Sequence, residues 1–361
     1  MQHEITTSAP LLDEKGNLRE PGYAKRLLPI YRRADIKAPV ARIKEWDYYL
    51  VANDHFAVAL TIADNGYMGL DSVSFLQFDE GWQMTRSPMR AFPMGRTGLP
   101  ETSAAGDTAS SGKRHALVFR HVPGGRELTF RMEDFLNRDT IEGHLLLTQE
   151  PEESMVICTP FDKPGHFYYN QKINCMRAAG TVRIGGQTYT FDPADSFGVL
   201  DWGRGVWTYH NTWYWGSASG QVDGVPFGWN IGYGFGDTSA ASENMLFYDG
   251  KAHKLGQVTF HIPMAGKRED YLAPWRFTSD DGRFEMDFAP ILDRAACTDV
   301  KLIKSDQHQV FGRFTGTALL DDGTPVRVKD FLALPKRWRT SGKRQKGAPR
   351  PMAGALPIFA I

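Results

Sequence analysis

Residues 201–219 read DWGRGVWTYHNTWYWGSAS. Trp207, Tyr209, Trp213 and Trp215 share one parity, with Asn211 between them. Successive side chains of a β-strand point to opposite faces, so this stretch presents a wall of large rings with one amide among them. Such a wall is either an oversized core or the lining of a cavity for a flat, apolar ligand. Asp201, Arg204 and His210 lie close by in the chain.

Working outward, most of the chain reads as short strands punctuated by turn signals. Residues 47–51, 56–63 and 72–78 are early examples, and Asp64-Asn65-Gly66 joins the last two. Asn and Gly tolerate the positive φ that tight hairpins demand. Pro123-Gly124-Gly125, Gly185-Gly186, Asp249-Gly250, Asp280-Asp281-Gly282 and Asp321-Asp322-Gly323 mark further turns. Residues 95–112 are small and polar and read as a loop or flap. In 227–236, FGWNIGYGFG, bulky residues including Trp229 alternate with Gly or Asn. One face of that strand is nearly bare, which lets a second sheet or a ligand approach its backbone. Helical periodicity is weak and confined to 23–44 and 293–296. Turn-bounded short strands predict an all-β protein. Roughly twenty strands exceed one small barrel, so the expectation is two tandem antiparallel β-barrels or curved sheets packed together. The expected units are 1–190, 191–335 and a basic, solvated tail over 336–361.

The 361 residues carry 42 Lys and Arg against 42 Asp and Glu. Zero net charge argues against a nucleic-acid or anionic-membrane partner, whose affinity needs excess positive charge. The three cysteines, Cys158, Cys175 and Cys297, form no CxxC pair and indicate neither a disulfide framework nor a zinc site. The N-terminal residues lack a signal-peptide pattern and no apolar run is long enough to span a bilayer, so a cytoplasmic location is expected. The oligomeric state is not set by the sequence, and a homodimer is left open.

Several stretches carry a resemblance. They are EWDYY at 45–49, PFDKPGHFYYNQKINCMRAAGTV at 160–182, GVLDWGRGVWTYHNTWYWGSASG at 198–220, FGWNIGYGFGDTSAASEN at 227–244 and DDGRFEM at 280–286. Together they resemble the domain of unknown function 2804 family, to about residue 335. That family looks distantly related to proteins built from two lipocalin-like barrels: carotenoid hydratases, tocopherol-cyclase-like enzymes and some fungal Diels–Alderases. The resemblance implies tandem lipocalin-like barrels and a lipophilic ligand, bound in a barrel cavity or between barrels, with no cofactor. It carries no reaction. The relatives' Asp/His/Trp motif is only loosely like Asp201-Trp202-Gly203, so no role is transferred.

Asp201 sits near Gly203 and Gly205, which suits a turn or cap. Alternatively it is a carboxyl held among rings and able to protonate an alkene; pairing with Arg204 would oppose that. Tyr209 shares the parity of the tryptophans and is the second catalytic candidate. His210 faces the other way and reads as a structural histidine or a ligand contact. Asn211 either ties strands together or orients a ligand. Glu243 sits in a loop, where a carboxylate is either solvated or functional. Asp201 and Tyr209 are thus the expected catalytic pair. Arg204, Trp207, His210, Asn211, Trp213, Trp215, Trp229 and Glu243 are the expected ligand contacts. GSASG at 216–220 is no nucleophile elbow, because Ala218 holds the central position. No P-loop, GxGxxG or HExxH motif occurs, so neither a cofactor nor a metal is expected. Three functions stay open: acid-catalysed hydration, isomerisation or cyclisation of a lipophile; carriage of a lipophile; and carbohydrate binding.

Overall fold

The computed structural model describes residues 2–208, 210–300 and 303–342, with the side chains at 297–305, 341 and 342 outside the description. The chain is all-β, as the turn signals require. A 14-stranded sheet and a 9-stranded sheet, both almost wholly antiparallel in sequence-neighbour pairings, account for nearly every strand. The turn signals at 64–66, 123–125, 185–186, 249–250, 280–282 and 321–323 each join consecutive strands. Gln187–Phe191 folds back on the end of Phe167–Ile184 across Gly185 and Gly186.

Phe197–Val206 is the hinge of the first sheet. It pairs with Lys44–Ala52 on one side and Phe167–Ile184 on the other. Beyond these lie Phe56–Asp64, Met68–Gln77 and Trp82–Arg86 in one direction. Asp139–Thr148, Gly125–Leu136, His115–Val122 and Thr108–Gly112 follow in the other. The ends of this sheet meet through side chains rather than a ladder. Ser110 Oγ donates to Asp71 Oδ2 at 2.7 Å, His115 Nε2 lies 2.9 Å from the same oxygen, and Arg86 Nε donates to the Phe135 carbonyl at 3.1 Å. The second sheet begins with Asn211–Val222, which pairs with Val225–Tyr233 and with the last strand, Pro325–Gly342.

Each sheet wraps its own apolar core. Tyr49, Leu60, Phe75, Phe130, Tyr169 and Trp202 are buried inside the first. Phe227, Trp229, Phe260, Phe277, Phe288 and Phe314 are buried inside the second. A third core lies in the seam between the sheets and draws residues from both, among them Trp46, Tyr48, Tyr168, Trp207, Trp213, Trp215 and Trp338.

Five expectations change. Residues 23–44 hold short strands and two 3-10 turns, Arg33–Asp35 and Val40–Arg42, rather than a regular helix. Residues 293–296 lie inside the strand Phe284–Val300. The step from one sheet to the next falls between Phe197–Val206 and Asn211–Val222, not at 190, because Phe197–Val206 is needed to join two meanders of the first sheet. Lys336 and Arg337 belong to Pro325–Gly342 and are buried, so the basic run begins inside the fold and not in a solvated tail. The polar stretch 95–112 also contributes a strand, Thr108–Gly112.

Candidate functional site

Strand register gathers the candidate site in the seam. Across the second sheet, Trp215 pairs with Lys336, Lys336 with Gln309 and Gln309 with Arg294. Directly paired residues share a face, so these four side chains form one row. The next row on that face is Trp213, Trp338 and Gln307. Across the first sheet, Lys172 pairs with Asp201 and Asp201 with Tyr48. The two polar rows meet. Gln309 Nε2 donates to Tyr48 Oη at 3.5 Å, and Tyr48 and Trp215 pack edge to face at 6.3 Å.

The rings of the seam form a continuous belt. Trp207 packs on Trp46 at 5.4 Å, Trp46 on Tyr168 at 6.2 Å, Tyr168 on Phe235 at 5.0 Å, Phe235 on Trp213 at 5.1 Å and Trp213 on Trp215 at 6.1 Å. Each such pair adds about 0.5–1.5 kcal/mol beyond simple burial. Gly203 makes the belt possible: a Cβ there would lie 2.2 Å from the Trp46 ring. The aromatic wall therefore faces the seam and not the inside of either sheet, and most of its rings rest on other rings.

Asp201 stands mid-strand and is buried, so it caps nothing. Its Oδ1 accepts from Trp46 Nε1 at 3.1 Å and from Asn170 Nδ2 at 2.7 Å, and its Oδ2 lies 2.9 Å from Lys172 Nζ. The partner that opposes an acid role is thus Lys172 and not Arg204. Arg204 has the opposite parity and points into the first sheet's core, where its guanidinium lies 4.1 Å over Trp202 and 3.1 Å from Asp47 Oδ1. It is no ligand contact in the seam.

Glu243 departs furthest from the sequence reading. It lies between Val225–Tyr233 and Met245–Tyr248, yet it is buried. Its Oε1 accepts from Trp213 Nε1 at 2.9 Å, and its Oε2 lies 3.4 Å from Asn230 Nδ2. Burial pushes its carboxyl above the ordinary range, and the charge of Lys172 offsets this in part. The bare face of the glycine-rich strand supplies the space, since a Cβ on Gly232 would lie 2.6 Å from Glu243 Oε1.

The remaining candidates separate. Trp207, Trp213 and Trp215 line the seam. Trp229 has the bulky parity of its strand and sits inside the second sheet against Phe314 and Phe331. His210 is exposed. Asn211 donates to the Thr208 carbonyl and accepts from Thr208 Oγ1. Tyr209 lies outside the described residues. Sequence reading missed Tyr48, Lys172, Arg294, Gln309 and Lys336. A signal existed for Lys172, which is the lone charge in FYYNQKINCM. Lys336 was hidden by the basic run that follows it, and Arg294 by an apparent helix.

Toward one rim of the seam the polar rows give way to apolar ones. Leu50, Val199, Leu334 and Phe311 stand two residues along from Tyr48, Asp201, Lys336 and Gln309, and border a cavity of about 30 Å³. A groove of about 270 Å³ shares Ala52, Phe197, Ser219 and Leu332 with it and carries Asp54, Asp195 and Lys329. Among the described residues no group of His, Cys, Asp and Glu is arranged to hold a metal, and no helix is long and apolar enough to cross a membrane.

Solved structures resemble this fold at low identity. CghA has a TM-score of 0.50 at 11% identity, covering 94% of this chain and 97% of its own. An ATTH candidate from Nitrosomonas europaea gives 0.49 at 12%, covering 92% and 99%. Kievitone hydratase from Nectria haematococca gives 0.48 at 11%, covering 92% and 98%. No curated protein matches the sequence significantly. The domain of unknown function family DUF2804 matches residues 2–337, nearly the whole of the described chain, and the protein belongs to that family.

Proposed function

We propose that the protein is a cofactor-independent enzyme that transfers a proton to carbon in a lipophilic small molecule bound at the seam between its sheets. The observation that supports this reading is Glu243, a buried carboxyl raised by burial and pressed against the aromatic belt through Trp213. A carboxyl kept toward its neutral form in an apolar site is the general acid that such chemistry needs. Asp201 suits the role less well, because Lys172 engages it directly.

The same geometry narrows the reaction class. Lys172 Nζ lies 4.9 Å from the Trp215 ring centroid and 5.4 Å from that of Trp213. Those ring faces already hold a cation, so a substrate carbocation resting on them would meet like charge. An isomerisation in which proton gain at one carbon is concerted with proton loss at another fits better than a hydration or cyclisation that passes through a long-lived carbocation. In an isomerisation Glu243 gives its proton to one substrate carbon and recovers one from another, so no co-reactant is consumed. Carriage without chemistry uses the same seam and is the competing outcome of the test.

The test is incubation of the full-length protein with a lipid extract in D2O, followed by mass spectrometry. The expected result is a product with carbon-bound deuterium that forms with the wild type and fails to form with Glu243→Gln. A bound lipophile recovered unchanged and without deuterium from the wild type overturns the enzymatic reading in favour of a carrier.

A further inference from the structure

The seam buries more positive charge than its carboxylates match. Lys172 has Asp201. Lys336 is only 5% exposed and Arg294 only 6%, yet neither has a carboxylate within ion-pair distance among the described residues. Arg294 donates Nη1 to Gln309 Oε1 at 2.7 Å and Nε to Thr85 Oγ1 at 3.3 Å, both neutral acceptors. Lys336 Nζ lies 5.9 Å from the ring centroids of Trp213 and Trp338, and Asp201 acts on it only beyond ion-pair distance. Glu243 does not neutralise them, because Trp213 and Asn230 hold it and burial biases it toward the neutral acid. An ammonium without a counter-charge is strongly disfavoured in an apolar interior. Consistent with this, burial lowers the Lys336 amine to about 7, with the positive charge of Arg294 adding to the effect.

Register sets the two cations on one face of the second sheet. Lys336 and Arg294 lie in the same row, with Gln309 on the strand between them. Two inter-strand spacings, about 10 Å, separate their backbones, within reach of two long side chains that converge on one group. The larger open groove at Tyr271 and His308, about 710 Å³, lacks this imbalance at its base. There Arg337 is paired with Glu269 at 3.2 Å and with Asp306 at 3.0 Å.

We infer that the ligand of the seam is an amphiphile with an anionic group of the carboxylate, sulfonate or enolate kind, seated between Lys336 and Arg294 with its apolar body against the aromatic belt. This rests on the reading that the seam binds a lipophile and adds the charge of its head.

A matched pair of fluorescent probes tests it on the full-length protein: 1-anilinonaphthalene-8-sulfonate, and N-phenyl-1-naphthylamine, which has the same ring system without the sulfonate. The wild type is expected to bind the sulfonate at least tenfold more tightly. Lys336→Met is expected to weaken sulfonate binding at least fivefold and to leave the neutral probe within twofold. Lys267→Met, an exposed change in the Tyr271 groove, is expected to leave both unchanged. Equal binding of the two probes by the wild type overturns the anionic head and leaves the lipophile reading standing; this comparison needs no variant to fold. Binding of neither probe removes the seam site itself, and the inference with it. Sulfonate binding that survives Lys336→Met and falls with Lys267→Met places the anion in the surface groove and overturns the inference.

Discussion

The two faces of Phe197–Val206 bury charge in opposite ways. On the core side of the first sheet, Arg204 is closed off by its own fold. It meets Asp47 at 3.1 Å and Glu45 at 3.9 Å, and donates to the carbonyls of Trp46 and Pro100 at 2.8 Å each. Tyr31 Oη donates to Glu45 at 2.7 Å, and Arg33 pairs with the same carboxylate. On the seam side, Asp201 is matched by Lys172, but the facing row adds Lys336 and Arg294 with no carboxylate of their own. A matched cluster holds a structure together. An unmatched one leaves a role for something the chain does not supply. On the inference drawn above, the difference separates buried charges that serve the fold from those that would serve a ligand.

Breaking the matched side should cost most. Arg204→Met leaves Asp47 buried without its cation and Glu45 with Arg33 alone, and a stability loss of about 3–5 kcal/mol is expected from urea unfolding. Asp201→Asn tests the half-matched pair. Asn keeps an acceptor for Trp46 or Asn170 while Lys172 loses its counter-charge, so the expected loss is smaller, about 2–3 kcal/mol.

Lys336→Met sharpens the comparison by reversing the sign. The lysine's folded-state value is about 7 against an ordinary 10.5, so between those values the folded chain binds fewer protons than the unfolded one. Stability from this group is present above pH 10.5 and is lost as pH falls through 7. Methionine removes that loss. Thermal unfolding at pH 6 should therefore show Lys336→Met more stable than the wild type by about 1–2 kcal/mol, with the gain fading toward pH 10. Lys44 and Lys254 are lowered in the same way and remain in both proteins, so they cancel in the difference. A variant less stable than the wild type at pH 6 would mean that Lys336 is matched after all.

Much of this was legible in the chain. Every Asp-Gly, Gly-Gly and Asn-Gly turn read from the sequence joins consecutive strands, because positive φ is a local demand that few residues meet. Parity placed Trp213 and Trp215 on one face. The bare face of 227–236 is where Glu243 comes to rest. Local reading failed where the deciding partner lay far along the chain. For Glu243 the loop context left solvated and functional readings open, and the burial that decides its chemistry comes from Trp213, thirty positions earlier. Lys336 looked like the start of a tail because its neighbours are basic, whereas its surroundings are set by Trp215 and Gln309 on flanking strands.

Fold class, turns and the facing of side chains along each strand were thus determined by sequence alone, since steric limits on φ and the two-residue repeat act between neighbours. Which faces meet was decided only by the tertiary structure. Pairing register set Lys172, Asp201, Lys336 and Arg294 in facing rows, and the low polarity of the seam gave their charges weight that no local pattern encodes.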